Sequence, residues 1–98
     1  MGFQVRTLWT KKAEKSLDKI FQHTIENFSF ESAERTYFEI KLAVLKLSDF
    51  PHLGRRIGGH EEKRQLVISG NAIIYEVVLR TSPYIVIRNV RPRGTNQS

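Results

Sequence analysis

The stretch from Lys63 to Val90, KRQLVISGNAIIYEVVLRTSPYIVIRNV, limits the fold more than any other part of the chain, because it holds three β-rich runs divided by two turns. Arg64 to Ile68 begins polar and becomes apolar. Ser69-Gly70-Asn71 then supplies the small residues a hairpin loop needs where φ turns positive, and Ala72 to Leu79 resumes with β-branched and aromatic residues. Thr81-Ser82-Pro83 breaks the chain again, since proline has no N–H for a ladder, and Tyr84 to Ile87 opens a third strand. The middle run is apolar at nearly every position, as a central strand buried on both faces would be, although one such run is also compatible with a buried helix segment.

What precedes this stretch is patterned to cover a sheet. Phe3 to Trp9 alternates with period two and reads as a half-buried strand with Phe3, Val5 and Trp9 facing in. Thr10 then suits the N-cap of a helix whose apolar stripe is Ala13, Leu17, Ile20, Phe21, Thr24, Ile25 and Phe28. Ser29 suits the cap of a second helix, with Glu31 and Glu34 in its first turn, where negative charge favours the dipole. Its stripe is Ala33, Tyr37, Ile40, Val44 and Leu47, widened by Phe38, Leu42 and Leu45, so this helix is expected to touch both the first helix and the sheet. A short link between two amphipathic helices implies an antiparallel hairpin, which Asp49-Phe50-Pro51 ends. His52 to Glu62 has no periodicity and reads as a glycine-rich charged loop.

At 98 residues the chain is one domain, 1–98, with 94–98 reading as a disordered tail and no room for a separate cofactor-binding unit. There is no cysteine, so disulfides and thiolate zinc sites are excluded. No signal-like start or run of about 18 apolar residues occurs, which predicts a cytoplasmic protein without a membrane partner. Charge is uneven: the net +6 divides into +1 for residues 1–49 (8 basic, 7 acidic) and +5 for residues 50–98 (8 basic, 3 acidic). No acid follows Glu76, whereas Arg80, Arg88, Arg91 and Arg93 do. Such a half suits a polyanionic target or an acidic partner, and equally a solvated face.

Chemical signals are few. His52 and His60 beside Glu61 and Glu62 lie on a flexible loop that fixes no ligand geometry, so no metal site is expected, and no cofactor motif is present. The candidates are Arg64, Tyr75, Arg88, Arg91 and Arg93. Tyr75, inside an apolar run, reads as a core tyrosine with a satisfied hydroxyl; for Arg64 a structural and a functional role stand even.

Taken together, Trp9-Thr10 followed by Ala13, Leu17 and Ile20; Ala33; Phe50-Pro51-His52-Leu53-Gly54-Arg55; Arg64-x-Leu66-Val67; Ile73 to Val77; and Ile87-Arg88-x-Val90 resemble the RelE/ParE family of toxins from type II toxin–antitoxin modules. The resemblance covers about 90 residues and implies an α+β fold of order β-α-α-β-β-β, a helical hairpin on an antiparallel-rich four-stranded sheet. It implies a cognate antitoxin as partner, with a homodimer or a heterotetramer with the antitoxin as possible assemblies. RelE-like members cleave mRNA on the ribosome and ParE-like members poison DNA gyrase. Ala72 stands where RelE-like members often carry an arginine, and Arg91-Pro92-Arg93-Gly94 offers neither His nor Tyr, so the likeness favours a ParE-like gyrase inhibitor. Pro92 stands near the place where ParE-like proteins commonly carry a histidine. Arg64, Arg88, Arg91 and Arg93 are then the expected target-binding surface; were the chain a nuclease, Arg64 and Arg93 would be its cationic groups. A non-toxic basic binding module on the same fold is the third reading.

Overall fold

Period two gives way to period 3.6 at Thr10, and the backbone changes from strand to helix there. In the computed structural model, which describes residues 5–58 and 62–92, β1 (Arg6–Trp9) leads directly into α1 (Lys11–Asn27). Thr10 Oγ1 accepts the Ala13 N–H at 3.1 Å and so caps the helix. The same hydroxyl donates to the Ile87 carbonyl at 2.9 Å, and the Thr10 N–H reaches that carbonyl at 3.2 Å. One side chain therefore starts the helix and ties its first turn to a strand 77 residues later. Thr10→Ala is expected to cost about 2 kcal/mol, the sum of a lost cap and a lost long-range bond, with Thr10→Ser recovering most of it. Urea denaturation of the three proteins checks this; a loss under about 0.5 kcal/mol for the alanine variant would show that the tie contributes nothing.

The second helix, α2 (Phe30–Asp49), begins at Ser29, whose Oγ accepts the Ser32 N–H at 3.0 Å. Phe21 meets Phe30 and Tyr37 edge to face, at centroid distances of 6.1 and 5.7 Å, and joins the two helices. Ala13, Leu17 and Ile20 of α1 and Ala33, Ile40, Ala43, Val44 and Leu47 of α2 are buried, as the spacing predicts. The expected widening of the α2 stripe does not occur. Phe38, Leu42 and Leu45 are 67%, 59% and 63% exposed, because the narrower row already fills the contact with α1 and the sheet. Phe28, expected on the α1 stripe, sits at that helix's C-cap and is exposed.

Among the described residues the sheet has five strands where four were expected. Beyond α2 come β2 (Arg55–Arg56), β3 (Lys63–Ile68), β4 (Asn71–Val78) and β5 (Tyr84–Pro92), and the order across the sheet is β1-β5-β4-β3-β2. The additional strand is the two-residue β2, paired antiparallel with β3 inside the segment that reads as a loop. Only β1 with β5 is parallel; the other pairings are antiparallel. Ser69 (φ 53°) and Gly70 (φ 77°) make the two-residue turn between β3 and β4, and Asn71, expected in that turn, is a buried first residue of β4 that donates to the Ser69 carbonyl at 3.0 Å. The middle run is the central strand, buried from Asn71 through Tyr75.

Ile73, Tyr75 and Val77 of β4 pack with Ile85, Ile87 and Val90 of β5 under the helices. Strict alternation would put residue 89 on that face. Ile74 instead pairs with Asn89 and Tyr75 with Ile87, which leaves Arg88 as the extra residue of a bulge and lets Val90 take the core position. The helices cover one face of the sheet; Glu76 and Arg88 stand on the other. Among the described residues, no helix is long and apolar enough to cross a membrane.

Candidate functional site

Arg64 and Tyr75 are register partners on β3 and β4, so their side chains share the helix-facing side. Tyr75 is fully buried; its hydroxyl donates to the Pro51 carbonyl at 2.7 Å and accepts the Gly54 N–H at 2.8 Å. Arg64 Nη1 donates to the Gly54 carbonyl at 2.8 Å. Two side chains of the sheet thus hold the backbone that follows α2, and Gly54 is clamped through both its N–H and its carbonyl. Burial raises the Tyr75 pKa above the usual 10.0, opposed by the Gly54 hydrogen bond and the Arg64 charge. The phenol stays protonated at neutral pH and, sealed in the core, has no path to a substrate. Beside the clamp, His52 Nε2 lies 3.4 Å from Glu62 Oε1. No group of three potential metal-ligating side chains comes together among the described residues, and His60 and Glu61 lie outside them.

Arg88 and Arg91 are on the opposite, helix-free face. Arg88, turned out at the bulge, donates through Nε and Nη2 to Glu76 Oε1 at 3.0 and 2.8 Å. Arg91 is exposed and, with Arg88, Lys12, Lys63, Asn89, Ile57 and Ile74, lines a hollow of about 400 Å³. The structure therefore brings Arg88 and Arg91 to one place and leaves Arg64 across the sheet from them. Arg93 and the tail 94–98 lie outside the described residues. Lys12 and Lys63, not among the expected contacts, complete the hollow. Their spacing in sequence carries no signal for this, since Lys12 comes beside β5 through the tertiary packing of α1, which Thr10 ties to Ile87. Four cations around an apolar floor suit an anionic group on a larger partner, and no acid–base pair stands among them.

A family model described as the ParE toxin of the type II toxin–antitoxin system parDE matches residues 7–96. Among solved structures, the chromosomal ParDE TA system from P. aeruginosa is similar, with a TM-score of 0.75 and 20% identity, covering 92% of this chain and 97% of that one. No curated protein matches.

Proposed function

The chain belongs to the ParE toxin family of type II toxin–antitoxin systems, and from that premise we propose that it arrests growth in the cytoplasm by poisoning DNA gyrase. The match across residues 7–96 carries this reading. The chemistry of the site supports it against RNA cleavage. Attack by a ribose 2′-hydroxyl needs groups that take and give a proton, whereas Tyr75 is sealed in the core and Arg64 is engaged with Gly54. Arg88 and Arg91 are the target contacts, with Arg93 assigned by its place two residues further along the chain. Arg64 acts from the other face as a buttress of the Gly54 segment.

Purified toxin incubated with gyrase, ATP and supercoiled plasmid is expected to trap cleaved linear DNA, and Arg91→Ala to lower the yield about tenfold while leaving the fold intact, as loss of one charge-assisted contact implies. Cleaved mRNA on translating ribosomes without trapped DNA would sink the gyrase reading.

A toxin of this class has an antitoxin partner. We assign the exposed row Phe38, Leu42 and Leu45 on α2 to the surface the antitoxin covers, since an apolar row of this kind on a charged molecule calls for a partner. Leu42→Asp/Leu45→Asp should weaken the complex at least tenfold in calorimetric titration and leave gyrase inhibition unchanged. Unaltered affinity would place the antitoxin elsewhere.

A further inference from the structure

A cavity lies where the two helices meet the end of the sheet. It is a cleft of about 650 Å³, a volume within the range of small-ligand sites, walled by α1, α2, the β3–β4 turn and the end of β5. Lys12 and Lys19 of α1, Arg35 of α2 and Arg91 of β5 converge on it from three elements, and no carboxylate stands among its described lining residues. Other cations of the molecule are already engaged: Arg88 with Glu76, Arg64 with the Gly54 carbonyl, Lys41 over the rings of Trp9 and Tyr37. None of the four in the cleft is in an ion pair with another described residue.

The acids of the helices are not among these lining residues. Asp18 and Glu34 line a different hollow, with Phe21 and Phe38, while Glu39, not itself in the lining, accepts the hydroxyl of Ser69 at the cleft's edge. The floor is not uniformly polar, since Ile20 and Val90 contribute to it and Phe28, 74% exposed, stands in the wall. Cations from separate elements around an apolar floor, with an accessible aromatic ring, match the requirements of an unpaired polynucleotide: phosphates on the charges and a base against the ring. A duplex, with its bases stacked inside, could offer only its phosphates to so concave a site.

We infer that this cleft binds a short single-stranded segment of nucleic acid, its phosphates on Lys12, Lys19, Arg35 and Arg91 and one base against Phe28. Lys12 and Arg91 also line the hollow on the helix-free face, so the strand leaves the cleft along a continuous cationic path towards Lys63. The site does not depend on gyrase being the target.

Fluorescence anisotropy with a labelled oligonucleotide of about 12 nucleotides, within the usual footprint of single-strand binders, tests the assignment on the whole toxin. Four phosphate contacts predict a slope of log affinity against log salt of about −3, and Lys12→Glu/Arg91→Glu should reduce the slope by about 1.4 and the affinity at low salt by more than tenfold. Phe28→Ala should weaken binding several-fold without changing the slope, a response that a purely electrostatic surface would not show. Circular dichroism confirms that each variant is folded; both charge changes are at exposed positions. Binding that is absent at low salt, indifferent to the charge reversals, equally tight for duplex, or displaced at equal charge by polyglutamate would overturn the proposal, the last result pointing to an acidic protein.

Discussion

Gly54→Ala is expected to be the most damaging single methyl group that can be added to this toxin, costing about 3 kcal/mol or more, against the 5–15 kcal/mol that holds a domain of this size together. A Cβ at Gly54 would lie 2.7 Å from the Gln65 carbonyl oxygen, 2.9 Å from that carbonyl carbon and 2.9 Å from Tyr75 Cε1. None of these atoms is the end of a flexible side chain. Two belong to the backbone of β3 and the third to a ring with no exposed surface. Room could be made only by moving residue 54 away from the sheet, and that motion would stretch the bonds from its N–H to Tyr75 and from its carbonyl to Arg64. Steric strain and lost hydrogen bonds therefore add rather than trade off. A thermal midpoint at least 10 °C below wild type is the expected reading, since about 1 kcal/mol shifts a domain of this size by several degrees. A midpoint within 2–3 °C would show that the segment after α2 relaxes freely, contrary to the clamp described.

Tyr75→Phe separates the hydrogen bonds from the packing. The ring stays, so the core contacts with its neighbours and the close approach to Gly54 persist. What is lost is the donor for the Pro51 carbonyl and the acceptor for the Gly54 N–H, leaving two backbone groups beneath the segment without their partners. Each such orphan costs roughly 1–3 kcal/mol, so the variant should be destabilised by about 3 kcal/mol. The pH dependence gives an independent check. Burial raises the folded-state pKa of Tyr75 above the ordinary 10.0, so its contribution is complete below pH 10 and declines above it, where the unfolded chain loses the phenolic proton and the folded one keeps it. Wild type should therefore lose stability more steeply than Tyr75→Phe from pH 10 upward, with parallel curves between pH 7 and 9. Identical alkaline slopes would mean that the hydroxyl is not sealed.

The parts of this fold legible in sequence are those set by local chemistry. Thr10 and Ser29 cap helices because hydroxyl oxygens satisfy first-turn donors, and Ser69-Gly70 turns because two successive residues must take positive φ. The burial of Tyr75 follows from its apolar neighbours in the run. β2 is not legible, since two residues carry no period. Phe38, Leu42 and Leu45 mislead for a different reason: helical spacing identifies an apolar face and is silent on whether the chain itself or another protein covers it. Nor does any residue announce the bulge at Arg88, which alters which side chains of β5 face the helices. Arg64 could not be assigned from its strand position because its partner, the carbonyl of Gly54, belongs to a segment ten residues earlier whose course only tertiary structure fixes.

The parallel pairing of β1 with β5 brings Arg6–Trp9 against Tyr84–Ile87, nearly the full length of the chain apart. On the ribosome β1 is made long before β5. Until β5 emerges, β1 has no strand to join, Thr10 has no Ile87 carbonyl to hold, and the helical hairpin lacks much of the surface it buries against. Long-range closure of this kind also slows folding after release, since the entropy of a long loop is lost before its contacts form. A chain that stops short of Tyr84 consequently cannot pair β1 and cannot close its sheet. The order of elements along the chain thus makes closure of the sheet wait on β5, the strand that joins β1 to the rest.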